Sequence, residues 1–542
     1  MQRMTGAEAL IATLKEEGVS VIFGIPGVQV MDAVDAVYRD GSIRWISPRQ
    51  EQTAAYMAFG YARTTGKIGV TMVLPGPGAL NMAAAVRTAY ARSVPVFVIS
   101  GQIESYHIGY HRGVLHELDE QLDIFQSLTK WCRRAAHADE IPRFTRDALR
   151  QLKKDRPRPV ELEVPFDLWS QEADMDLVPV EKGPLLSPDP ETVTKAAAML
   201  QAARKPLIIA GGGAANGGLT KEITALAEAI NAPVVMTGEG QGCIDVAHPL
   251  YAGNVTLWLH PILGEADTAI IVGSRLRSSG NQKLSLRDDQ KVIQVDHDSD
   301  EMGRNHRIDL GINADAGLAL TALLKECTGT CGSSWKPDEI AALRTSARER
   351  VEKAAPLQTG ILRQMREALP EDAIIVPDIT NLAYWFEIYY PINRTNTYVD
   401  SSYMATLGYA FPTALGAKVG NPNVPVIALC GDGGFAYAST ELATAVQEGI
   451  NVIVLLFTDG KYGTVTGIQK RQFGGREIGN QLLNPDYVKF TESFGAIGVR
   501  LGSPGELGQA LKEALGADAP VVIECPVPQM DTPWKALIDD AK

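Results

Sequence analysis

Short apolar runs alternate with amphipathic stretches along most of the chain. In the first third, residues 21–24, 43–47, 69–74 and 94–100 are strand-like, and residues 4–18, 28–38, 54–66 and 80–91 carry apolar residues at helical spacing. Runs with little charge suit strands buried on both faces, and strands that take turns with helices predict a parallel sheet. The pattern recurs twice. Residues 191–203 read as a helix, 206–210 as a strand ending in Gly211-Gly212-Gly213, and 233–236, 268–272 and 291–295 as further strands. In the last third the strands fall at 374–376, 398–400, 424–430, 451–457 and 520–525. Residues 171–190 and 326–337 are aperiodic and read as linkers, and the tail after Pro526 is polar. The prediction is an α/β chain of three doubly wound parallel-sheet domains, 1–170, 186–335 and 357–527.

The most informative stretch is 424–463, a strand, a Gly431-Asp432-Gly433-Gly434 turn, a helix, a second strand and a Thr458-Asp459-Gly460 turn. Parallel strands joined by a helix put both turns at one edge of the sheet, where such sheets bind ligands. A glycine turn opening a helix attracts a diphosphate through backbone N–H groups and the helix dipole. Hard carboxylate oxygens hold Mg²⁺ against it. A lone Gly-Asp-Gly is an ordinary turn. Here both strands, the helix and a second acidic turn accompany it.

Composition narrows the partners. A net charge of −13 without a basic block argues against nucleic acid and anionic membrane. The first residues lack an apolar signal core, and no apolar stretch is long enough to span a bilayer. The six cysteines are scattered, and only Cys327 and Cys331 lie close together, with no histidine at zinc-like spacing. Free thiols in a reducing cytoplasm are the expectation.

The motifs FGIPG, RQEQTAAYMAFGYAR, PGPGALN, PVFVISGQ, SSYMATLGYAFPTALG and the GDGG unit occur in the order found in thiamine diphosphate (ThDP) enzymes. The chain resembles the acetolactate synthase-like branch of that family over essentially its whole length. That resemblance implies Mg²⁺ held by Asp432, Asp459 and the backbone carbonyl of Lys461. It implies cofactor contacts from Pro26, Gly27, Thr380, Asn381, Gly431, Gly433, Gly434, Tyr462 and Gly463. Leu407 would wedge beneath the bent cofactor, with the Ala405 carbonyl facing its amino group. Glu51 would relay a proton to the aminopyrimidine; read alone, it is a carboxylate capping the helix it opens.

The resemblance further implies a 2-oxo acid substrate and a homo-oligomer, dimer or tetramer, with active sites between subunits. Some members hold FAD or ADP in the middle domain. Arg275 and Arg277 could grip such a phosphate or be solvated surface. The Gly211–Gly213 turn departs from the Rossmann spacing.

Departures from the family pattern bear on substrate. Where acetolactate synthases place Phe-Gln, this chain has Leu115-His116, and His116 is either a proton shuttle or a hydrogen-bonded structural histidine. Ser278-Ser279 stands for an Asp-Arg pair, and Ile468 for a tryptophan that selects the larger acceptor. Lys130 matches a family lysine near the substrate entrance. The expected activity is cleavage or formation of the C–C bond beside the carbonyl of a 2-oxo acid, by decarboxylation with carboligation. Simple decarboxylation of a longer polar 2-oxo acid is the alternative. A non-catalytic protein of the same fold is the alternative of another class.

Overall fold

The computed structural model describes residues 2–177, 183–254, 260–277, 286–327 and 332–534. Its first domain contains β1 (Gln2–Thr5), β2 (Val21–Gly24), β3 (Arg44–Ile46), β4 (Gly69–Val73), β5 (Val96–Gln102), β6 (Trp131–Arg134), β7 (Val160–Pro165) and β8 (Glu172–Met175). Six of these form a parallel sheet in the order β3-β2-β4-β5-β7-β6. The middle domain has β9 (Pro206–Ala210), β10 (Val234–Met236), β11 (Tyr251–Asn254), β12 (Thr268–Val272), β13 (Lys291–Asp296) and β14 (Leu310–Asn313), in the order β11-β10-β9-β12-β13-β14. The third has β15 (Ile374–Pro377), β16 (Val426–Gly431), β17 (Ile453–Thr458), β18 (Ile497–Arg500) and β19 (Val521–Pro526), in the order β15-β16-β17-β19-β18. Every pairing in these three sheets is parallel, so the expected fold class holds.

The first and third domains share a core. The Glu51–Thr65 helix is buried from Thr53 to Arg63, because one side faces its own sheet and the other the Ala410–Gly420 helix. Small residues let the two backbones approach. A Cβ on Gly60 would strike the Thr413 carbonyl, and one on Gly416 the Met57 carbonyl. This contact fixes the N-terminus of the first helix, where Glu51 stands.

Several local expectations are corrected. Residues 398–400 are not a strand; Tyr398 makes a single bridge to Ile375. The 171–190 linker begins with β8, which pairs antiparallel with β1. The helix expected over 80–91 breaks into Pro77–Asn81 and Ala83–Arg92. The second linker is anchored by Trp335, buried with its indole N–H on the Pro206 carbonyl at 2.9 Å. The Pro337–Ala354 helix then bridges two cores, with Ile340 in the middle domain's and Val351 in the third's. The described part of the tail packs on the Asn381–Tyr389 helix. The Met530 carbonyl accepts from Asn381 at 2.7 Å, and the Asp531 carbonyl accepts from the Trp385 indole at 2.8 Å.

Among the described residues no helix is long and apolar enough to cross a membrane. Cys132, Cys243, Cys430 and Cys525 are free thiols, and all but Cys132 are buried. Cys331 and Ser278-Ser279 lie outside the described residues.

Candidate active site

In the third sheet β16 and β17 are neighbours, so the turns after them meet at its C-terminal edge. Asp432 is buried, and its carboxylate takes three donors. Oδ2 accepts from Gly460 N at 2.8 Å and Asn484 Nδ2 at 2.7 Å, and Oδ1 accepts from Gly433 N at 3.0 Å. Asp459, half-buried, accepts from Lys461 N at 3.1 Å. Burial and the neighbouring Asp432 push its carboxyl above the usual range. A divalent cation between two such carboxylates would relieve that repulsion. Among the described residues no group of three or more His, Cys, Asp or Glu could hold a metal. A cation here would therefore complete its shell with backbone carbonyl and ligand oxygens, as Mg²⁺ does with phosphates.

The glycines of the turn are required by close neighbours. A Cβ on Gly431 would stand 3.2 Å from Thr380 Cγ2, one on Gly433 2.5 Å from Tyr462 Cε1, and one on Gly434 would collide with the Asp378 carboxylate. Thr380 caps the Asn381–Tyr389 helix, its hydroxyl accepting from Ala383 N at 3.0 Å. A Cβ on Gly463 would lie 2.9 Å from Asn381 Nδ2 and 3.2 Å from Asp459 Oδ2. Thr380, Asn381, Tyr462 and Gly463 are thus gathered around the two acidic turns. Asp378, absent from the sequence-derived set, is buried between them and the Ala405–Gly408 turn, accepting from Gly408 N at 3.2 Å. Ala405 is left-handed, with φ 46°, and Leu407 is half-buried beside it.

A second cluster lies at the C-terminal edge of the first sheet. The strand order reverses between β2 and β4, which opens a crevice between the Pro26-Gly27 turn and the Pro75–Gly78 turn. The helix cap is Gln50, whose side chain accepts from Thr53 N at 3.2 Å, and not Glu51. Glu51 instead accepts from Asn81 Nδ2 at 2.9 Å. His116 packs its carbonyl on Gly76 in the same crevice. Gln29 holds the Leu115-His116 pair: its Nε2 donates to the Leu115 carbonyl at 3.1 Å, and its Oε1 lies 3.1 Å from His116 Nδ1. Nothing in the sequence singled out Gln29, which reads as one polar residue in an apolar stretch.

Lys130 does not join this cluster. It precedes β6 at the opposite, N-terminal edge of the sheet, and its ammonium donates to the carbonyls of Lys154 at 2.7 Å and Arg156 at 2.9 Å. Burial pulls it down to about 8. The strand direction places it away from Glu51. Ile468 sits partly exposed on the Gly463–Gln472 helix, just beyond the second acidic turn.

Three parallel sheets, a carboxylate at the edge of the first and paired acidic turns at the edge of the third make a layout that suits a diphosphate cofactor. The model of the thiamine pyrophosphate enzyme N-terminal TPP binding domain matches residues 4–124, that of the central domain residues 193–323, and that of the C-terminal TPP binding domain residues 378–525. A probable acetolactate synthase large subunit of Methanococcus aeolicus is 32% identical, over 96% of this chain and 92% of that protein. A probable 2-ketoarginine decarboxylase of Pseudomonas aeruginosa is also 32% identical, over 96% and 94%. The acetolactate synthase isozyme 3 large subunit of Escherichia coli is 28% identical, over 95% and 93%. The chain belongs to the thiamine pyrophosphate enzyme family.

Proposed function

We propose that this protein is a ThDP- and Mg²⁺-dependent enzyme that cleaves or forms the C–C bond beside the carbonyl of a 2-oxo acid. The observation that carries this is the meeting of Asp432 and Asp459 at one sheet edge, beside a glycine turn. When bound, ThDP supplies a carbon acid that adds to the keto carbon and accepts the electron pair left by departing CO₂.

The chain's residues divide the remaining work. Asp432, Asp459 and the Lys461 carbonyl would hold Mg²⁺, and Gly431, Gly433 and Gly434 let Thr380, Tyr462 and Asp378 close around the turn. Glu51, oriented by Asn81, holds the proton opposite the cofactor's ring nitrogen. Leu407 would support the bound cofactor. Glu51 and the metal turn work together across two copies of the chain. Exposed apolar residues support this: Val28, Met31 and Leu80 flank the first crevice, and Tyr437, Val465 and Phe473 the second.

The second reading, simple decarboxylation of a longer polar 2-oxo acid, draws support from Leu115-His116 and Ile468, and from the 2-ketoarginine decarboxylase among the relatives. Release of CO₂ from pyruvate and from a panel of longer 2-oxo acids, with and without ThDP and Mg²⁺, tests both. Cofactor-dependent release with hydroxyketone as product supports carboligation, and aldehyde alone supports decarboxylation. No cofactor-dependent release from any substrate would reject both readings.

A further inference from the structure

The middle sheet reverses its strand order between β9 and β12. In sheets of this kind a nucleotide diphosphate lies in the crevice at the reversal, over a glycine turn. Here the Gly211–Gly213 turn follows β9, and a Cβ on Gly213 would already lie 2.8 Å from Gly273 after β12. Glu239, in the Gly238–Gly240 turn after β10, lies over the glycines. A Cβ on Gly212 would stand 2.9 Å from Glu239 Oε2 and 3.0 Å from its Cβ.

The donors around Glu239 are those a phosphate would use. Arg92 Nη1 lies 3.0 Å from Oε2, with its side chain only 1% exposed. Ser402 Oγ donates to Oε1 at 2.7 Å, and Arg277 Nη2 lies 3.2 Å from the same oxygen. Burial pushes this carboxyl up, but Arg92 and Arg277 outweigh it and hold it at about 2. Glu239 is therefore an anion at any working pH. Arg275, the other candidate phosphate grip, donates to the Ala91 carbonyl at 3.1 Å. Arg92 comes from the first domain, Glu239 and Arg277 from the middle one and Ser402 from the third.

We propose that Glu239 stands in for a nucleotide diphosphate: this middle domain takes neither FAD nor ADP, and its nucleotide crevice serves as a latch joining the three domains. A diphosphate entering beside this carboxylate meets like charge, and Arg92 Nη1 and Arg277 Nη2 already pair with Glu239.

The full-length protein and its Glu239→Ala and Glu239→Gln variants test this by thermal melting, visible absorbance and calorimetry with ADP or inorganic pyrophosphate. The wild type should purify without flavin absorbance, and ADP should leave its melting temperature unchanged. Glu239→Gln keeps the shape but loses the charge, and should melt lower. Glu239→Ala should melt lower still, regain part of the loss with either anion, and bind ADP at least about tenfold more tightly than the wild type. Flavin in the purified wild type, or a rise in its melting temperature with ADP, would overturn the proposal. So would a Glu239→Gln protein as stable as the wild type, or a Glu239→Ala protein indifferent to both anions.

Discussion

Asp432 Oδ2 accepts the backbone N–H of Gly460 at 2.8 Å, across 28 positions of sequence. The bond locks the first acidic turn onto the second, so the two carboxylates are positioned before any cation arrives. Asp432→Ala should therefore do two things. It leaves the N–H groups of Gly433 and Gly460 and the Asn484 amide without their acceptor, at about 1–3 kcal/mol for each that stays buried and unpaired. It should also raise the apparent Kd for ThDP at least about tenfold, equivalent to 1.4 kcal/mol. Calorimetric titration with ThDP and Mg²⁺ measures the second effect, and wild-type affinity would remove Asp432 from the site.

Glu51→Gln keeps a side-chain oxygen for Asn81 but cannot relay a proton. Exchange of the cofactor's C2 proton, followed by NMR, should slow by orders of magnitude while ThDP still binds. Because Gln50 and not Glu51 caps the helix, the melting temperature should barely move.

His116→Gln tests the proton shuttle. If the imidazole protonates the carbon left after CO₂ loss, the product mixture should move from aldehyde toward hydroxyketone. His116 has a left-handed backbone, φ 68°, so His116→Asn, a residue more tolerant of that region, serves as a second variant. An unchanged product ratio in both assigns His116 a structural role through Gln29.

Gly60→Ala probes the shared core. The added methyl would meet the Thr413 carbonyl, so the two helices must separate, with a loss of about 1–3 kcal/mol. The melting temperature should fall, and ThDP affinity should fall with it because the same helix carries Glu51.

Asp378 gives the chain a pH signature. Burial pushes its carboxyl from 3.8 up to about 6. The folded state thus binds this proton more tightly than the unfolded state. The contribution is fully present below about pH 3.8 and is lost as pH rises through about 6. Its upper bound is about 3 kcal/mol, from 1.36 kcal/mol per pKa unit. Asp378→Asn cannot titrate, so its melting temperature should fall less steeply than the wild type's between pH 4 and 6 (about the window set by those two values). Parallel curves would mean that Asp378 does not ionise there.

The sequence by itself determined the three α/β units and both acidic turns, because uncharged runs such as 453–457 and breaks such as Gly431–Gly434 are local signals. It also supplied Glu51, through motif order. What it could not supply depends on distant pairings. Gln29 holds Leu115 and His116 from 86 and 87 positions away, and Asp378 reaches Gly408 across 30. Neither pairing leaves a periodic trace. Lys130 carried a family match, yet strand direction sent it to the far edge of the sheet. For Arg277 the sequence left phosphate grip and solvated surface equally open. Only the packing of three domains brought Arg92, Glu239 and Ser402 together and engaged that guanidinium within the chain. Local patterning sets the elements and their turns; which buried polar group answers which is settled only when the domains close on one another.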